Sequence, residues 1–156
     1  MAAPAADDTP NLSLSAPDSG RQAHDPNAFL RLRSVPGIGE TLALVILYEI
    51  ETIERFEKVG NFLSYARLVK CARESAGKCY GTGGNKIGNV HLRWAFGEAA
   101  CLFLRNNPPG QAYHQRLVNQ YGKSKALSII SQKLGRAVYV LLKRKETFDM
   151  KKFLQG

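Results

Sequence analysis

Gly88-Asn89-Val90-His91-Leu92-Arg93-Trp94-Ala95-Phe96-Gly97-Glu98-Ala99-Ala100-Cys101-Leu102-Phe103 is the stretch that decides the fold. Leu92, Ala95, Phe96, Ala99, Ala100 and Phe103 recur every three or four residues, which gathers them into one stripe of a helix. Asn89 stands where an N-cap belongs, with a side-chain oxygen suited to an amide of the first turn. Asn106-Asn107-Pro108-Pro109-Gly110 then stops the periodicity, so a helix is predicted over 90–105. Cys101 falls on the apolar face in this reading and is expected in the core.

The same period extends downstream. Gln111–Tyr121 reads as a short helix ended by Gly122, and Lys125–Lys143 as a long one with Leu127, Ile130, Leu134, Val138 and Leu141 turned inward. Phe148–Leu154 is expected to dock loosely. Upstream, Asp25-Pro26-Asn27 opens a short amphipathic helix, and Val35-Pro36-Gly37-Ile38-Gly39 separates it from an apolar helix over Thr41–Ile50. That is the outline of a helix-hairpin-helix, whose backbone amides and second helix start suit a phosphate, with Gly37 and Gly39 bracing the nucleic-acid backbone. A purely structural hairpin is the plainer reading, and Glu40 competes with phosphate for the same amides. Residues 52–66 read as mostly helix with a break at Gly60. No strand and no internal repeat is expected. The fold class is all-α: a helix-hairpin-helix, a glycine-rich basic loop and a three-helix C-terminal region.

Residues 1–25 are rich in Ala, Pro, Asp and Ser and poor in large apolar side chains, so they read as a disordered leader ahead of one helical domain over 26–156. Asp7 and Asp8 come early and no apolar segment follows them, unlike a signal peptide. The longest apolar run, Leu42–Ile50, is too short to span a bilayer and contains Glu49. A cytoplasmic protein without a membrane partner is expected. Cys71, Cys79 and Cys101 form no Cys-x-x-Cys pair, which suits reduced thiols, and with His91 they match no zinc spacing. No metal site is expected in this chain.

The net charge of +9 is unevenly spread. Residues 1–58 carry five Lys/Arg against nine Asp/Glu, whereas residues 59–156 carry seventeen against four. A half that basic, interleaved with Tyr65, Tyr80, Trp94, Tyr113, Tyr121 and Tyr139, suits a polyanion through phosphate neutralisation and counterion release. The alternative is a solvated basic surface or one that meets acidic protein. Tyr65 to Ile87 loses periodicity; Gly77, Gly81, Gly83, Gly84 and Gly88 fall within twelve residues, and Lys70, Arg73, Lys78 and Lys86 make the stretch basic. Long loops of this kind in compact domains tend to be functional.

Within it, Glu74-Ser75-Ala76-Gly77-Lys78 sets a hydroxyl among cations. A serine that attacks a phosphodiester needs positive neighbours to stabilise the phosphorane and a route for its proton. Arg73 and Lys78 flank Ser75, and Arg93 and His91 lie one loop away. An arginine bridges two phosphate oxygens, whereas a lysine acts as a point charge. His91 suits either a base or a hydrogen bond within the loop, and on residue types alone His91 reads first as structural and Ser75 first as a loop-stabilising hydroxyl.

Val35-Pro36-Gly37-Ile38-Gly39, Phe62-Leu63-Ser64-Tyr65, Glu74-Ser75-Ala76-Gly77-Lys78, Gly88 through Phe96 and Lys125-Ala126-Leu127 occur in that order. Together they resemble the C-terminal transposase domain of the insertion-sequence "one-ten/one-sixteen" family, over about residues 25–156. The resemblance implies a serine-type DNA transposase, RNA-guided in known members, with Ser75 as the nucleophile that forms a phosphoserine link. It implies nucleic-acid binding by Arg73, Lys78, Lys86 and Arg93. It also implies DNA and a guide RNA as partners, with homo-oligomers or intact transposase subunits.

Two features depart from the family pattern. The family's N-terminal RuvC-like domain, whose acidic set holds metal, has no matching positions. Where many members carry Gly-Leu-x-Pro, this chain has Arg67-Leu68-Val69-Lys70. The expectation is therefore a truncated copy, inactive alone, with Mg confined to the acidic domain of an intact partner. Two rivals stand beside it: a non-catalytic helix-hairpin-helix module, and a partner subunit that assembles with intact transposase.

Overall fold

The computed structural model describes residues 25–69 and 88–155 in full and the backbone of 72–75 and 78–82. The leader up to residue 24, and Lys86, lie outside the described residues. Among the described residues seven α-helices make up the packed body: α1 (Pro26–Arg33), α2 (Glu40–Ile50), α3 (Val59–Tyr65), α4 (Val90–Phe103), α5 (Pro108–Tyr121), α6 (Lys123–Arg144) and α7 (Met150–Gln155). The body is helical, as the periodicity predicts.

The stretch that decides the fold does so for the reason its spacing gives. Leu92, Ala95, Phe96, Ala99, Ala100 and Phe103 are all fully buried. They turn α4 towards α6, the longest helix, which also packs on α1, α3 and α5. α6 contributes Ala126, Ile130, Leu134 and Val138 to the same core. At its centre Phe62 of α3 meets Phe96 edge-on at 6.1 Å and Phe56 at 5.3 Å. Aromatic pairs in this geometry add stability beyond their buried area. α2 lies antiparallel on α4: Gly37 abuts Ala99 and Phe103 at one end, and Glu49 bonds Asn89 at the other.

Five expectations are corrected. First, the segment expected to be loop contains a two-stranded antiparallel hairpin, β1 (Ala72–Ser75) and β2 (Lys78–Thr82). No period-two apolar pattern marks it, and so the sequence carries no amphipathic strand signal there. Second, Cys101 is exposed. It sits at the solvent-facing phase of α4, opposite the Leu92–Phe103 stripe. Third, α5 begins at Pro108, where the two prolines that end α4 also start the next helix. Asn107 caps it by accepting the Gly110 N–H at 3.2 Å, and proline in a first turn loses no intrahelical bond. Fourth, residues 52–66 divide into a 3-10 turn at Ile53–Arg55 and α3, with the break at Phe56–Lys58 and Gly60 inside the helix. Fifth, the tail docks firmly, because Phe153 of α7 is buried against Phe103 at 5.1 Å.

Candidate nucleic-acid interface

The hairpin leaves the body after α3 and returns at Asn89, and these two ends are tied to each other. Asn89 donates its backbone N–H to the Tyr65 carbonyl at 2.6 Å and accepts the Leu92 N–H on its side-chain oxygen at 2.9 Å, so it caps α4. Its side-chain amide donates to the Glu49 carboxylate at 2.6 Å and lies 3.4 Å from the Tyr65 hydroxyl. Gly88 has a φ of +116°, and a Cβ there would fall 2.8 Å from the Tyr65 carbonyl oxygen. Only glycine accepts both the backbone angle and the close approach. The Tyr65 ring in turn carries the Arg55 guanidinium at 4.9 Å.

From this root the register places Ser75 directly opposite Lys78, and Glu74 opposite Cys79. The pairing is interrupted between Ala72 and Glu74, where Arg73 sits. The backbones of Ser75 and Lys78 are therefore neighbours across the hairpin. The side chains of Arg73, Ser75 and Lys78, with all of Lys86, lie outside the described residues.

Arg93 and His91 lie in the opening turns of α4, just after the point where the hairpin segment re-enters the body. Both are exposed, and among the described residues neither side chain has an ion-pair or hydrogen-bond partner. Trp94, beside Arg93, is 52% exposed, and Tyr48, one residue before the Glu49 that holds Asn89, is 79% exposed. Sequence reading missed Tyr48 because it lies inside an apolar run that reads as core. The signal was its phase: it falls on the face of α2 opposite Leu42, Ala43 and Ile46.

The two glycines of the α1–α2 turn separate. Gly37 has a φ of +92°, and a Cβ there would lie 2.6 Å from both the Ala99 carbonyl oxygen and the Phe103 nitrogen. It is a packing glycine turned towards α4. Gly39 is exposed, has open space where a Cβ would be, and caps α2 without a side-chain bond. Of the pair offered as a backbone brace, Gly39 is the one that faces outward. Glu40 follows it, also exposed, and puts a negative charge in the first turn of α2.

Among the described residues no group of three or more His, Cys, Asp or Glu side chains could hold a metal ion, and no helix is long and apolar enough to cross a membrane. The chain resembles the curated transposase for insertion sequence element IS1111A from Coxiella burnetii (strain RSA 493 / Nine Mile phase I), with 26% identity over 122 residues. That similarity spans 76% of this chain and 34% of the relative, about a third of its length. The family described as Transposase IS116/IS110/IS902 matches residues 30–115, which run from α1 through the hairpin and α4 into α5. This is more than half of the chain, and the protein belongs to that transposase family.

Proposed function

We propose that this chain is a DNA-handling domain of a serine-type transposase, with the β1–β2 hairpin presenting Ser75 to a phosphodiester. The observation that carries the reading is the register pairing Ser75 with Lys78 on a hairpin whose root is clamped by Tyr65 and Asn89. The chain closes on itself at this root just before α4, in whose first turn Arg93 stands exposed. In the proposed step the Ser75 Oγ–phosphorus bond forms and a sugar oxygen–phosphorus bond breaks. The serine proton leaves to a base, His91 or solvent, and the departing sugar oxygen takes up a proton. One phosphodiester replaces another, so no external energy source is required. Arg73, Lys78 and Arg93 stabilise the charge that accumulates on the non-bridging oxygens. Lys86 and the Gly39 end of α2 hold the strand on either side.

The metal implied by the resemblance finds no assembled donor set among the described residues. In the proposed assembly this chain works with intact transposase subunits, and a structured RNA directs them to their site.

The test is covalent trapping on labelled donor DNA, with this chain and its Ser75→Ala variant, each with and without an intact family member. A denaturation-resistant adduct that disappears in the variant supports the reading. Salt-sensitive binding with no adduct in either setting overturns the serine chemistry. It leaves the second reading, a helix-hairpin-helix binding module, which the outward-facing Gly39 favours.

A further inference from the structure

A cleft of about 460 Å³ opens between α5, α6 and the segment leading into α7, away from the hairpin root. Its chemistry is mixed in a specific way. Tyr113, Phe148 and Phe153 contribute aromatic rings, and Lys133, Arg136 and Lys152 contribute cations. Phe148 and Phe153 lie 5.4 Å apart, and the Phe148 N–H donates to the Ser34 hydroxyl at 3.0 Å, which fixes the wall to the end of α1. Lys133 reaches across the cleft. Its ammonium stands 4.4 Å from the Tyr113 ring centre and 5.1 Å from that of Phe153, and it donates to the Tyr113 hydroxyl at 3.3 Å.

Two acids line the same cleft, Glu146 and Asp149. Asp149 is already directed at its own helix, where its carboxylate accepts the Lys151 N–H at 2.9 Å and the Lys152 N–H at 3.5 Å. Arg116, over the Tyr113 ring at 5.5 Å, adds a fourth cation beside the rim. Arg136 and Lys152 are exposed and make no ion pair among the described residues.

We infer that this cleft takes one unstacked nucleotide of a single strand, its base against Phe148 and the apolar face of α6, its phosphates at Arg136 and Lys152. The volume suits a nucleotide and is in the range of small-ligand sites. An uncharged apolar ligand leaves the cations unused. A helical peptide needs an apolar groove several turns long, and a cleft of this size with cations at its rim suits a small anionic group better. Flat apolar rings beside cations form the pattern by which single strands are held with little regard to sequence. The inference rests on the reading that the chain handles nucleic acid, but uses a surface distinct from the hairpin.

The experiment compares the intact chain, the pair Arg136→Gln/Lys152→Gln and a charge-matched control pair, Lys123→Gln/Lys125→Gln. The probes are a labelled oligothymidylate of about twelve nucleotides, its abasic counterpart, the matching oligouridylate and a duplex of the same length. The intact chain is expected to bind the thymidylate about tenfold more tightly than the abasic strand. The cleft pair is expected to weaken single-strand binding well beyond the control, with duplex binding falling no further than in the control. The tighter of the thymidylate and uridylate strands identifies DNA or RNA as the source. Equal affinity for base-bearing and abasic strands, or equal losses in the two double variants, overturns the cleft assignment alone. Failure of the intact chain to bind even the duplex overturns both this assignment and the proposed function.

Discussion

Asn89 donates its side-chain amide to Glu49 at 2.6 Å, joining the residue that caps α4 to the last turn of α2. The same side chain caps α4 through the Leu92 N–H, and the backbone N–H of Asn89 closes the hairpin root on Tyr65. One residue therefore sets where α4 starts, how α2 lies on it and where the β1–β2 hairpin is anchored. Asn89→Ala should lose both the cap and the Glu49 bond, at a cost of about 1–3 kcal/mol. Asn89→Asp should keep the cap while setting a second carboxylate against Glu49. Urea denaturation of the two variants separates these effects. If both match the unaltered protein, the clamp contributes nothing to stability.

Gly37 and Gly39 should respond oppositely to the same change. Gly37→Ala forces a side chain into a left-handed backbone and into atoms of the α4 main chain, which cannot retreat as a flexible side chain would. The expected cost exceeds about 2 kcal/mol. Gly39→Ala meets open space, and its stability should stay within about 1 kcal/mol of the original. Thermal unfolding of the two purified variants decides it, and equal melting temperatures would contradict the packing described at Gly37.

How much of this was legible beforehand differs by element. α4 was, because each member of its apolar stripe is buried and its cap, Asn89, is local in sequence. The Asp25 start of α1 was legible for the same reason. The hairpin was not, since the pairing of Ser75 with Lys78 involves backbone groups and leaves no apolar alternation. Cys101 was misplaced because a small, weakly polar side chain fits either phase of a helix next to an alanine-rich stripe. The Asn89–Glu49 bond spans forty residues and carries no spacing signal at all. In the candidate interface, the exposure of Arg93 was legible from its phase, off the apolar stripe of α4. The inward turn of Gly37 was not, because the sequence shows that a glycine is needed without showing which neighbour requires it.

Two ion pairs predict opposite pH responses. The Arg31 guanidinium beside Asp25, helped by the Asn27 N–H, holds that carboxyl below its ordinary value. Its contribution to stability is present above the usual carboxylate range near 4 and is lost as pH falls through the depressed folded value. Hydrogen bonding to Glu54 at 2.7 Å raises Lys143 above its ordinary value. That contribution is present below about pH 10 and is lost as pH rises through the raised folded value. Asp25→Asn should therefore differ most from the unaltered protein at neutral pH and converge with it in strong acid. Glu54→Gln should differ at neutral pH and converge with it in strong base. Both effects are small at such exposed positions. Melting temperatures across pH measure them, and a difference that persists in strong acid for Asp25→Asn, or in strong base for Glu54→Gln, would contradict the assignments.

Arg93 gives the most direct separation of binding from chemistry. It is exposed near the start of α4 and pairs with no acid among the described residues, so its replacement should leave the fold intact. Arg93→Gln should weaken duplex DNA binding and reduce the slope of log affinity against log salt by about one unit, the signature of one lost phosphate contact. Arg93→Lys should restore the slope but not the full affinity, because a lysine meets phosphate as a point charge and forgoes the bidentate fork. Ser75→Ala, by contrast, should leave both affinity and slope unchanged while abolishing any covalent adduct. Titrations of a labelled duplex at several salt concentrations distinguish the three variants. An unchanged slope in Arg93→Gln removes this residue from the interface. A lowered slope in Ser75→Ala would make that serine a binding group and not the nucleophile.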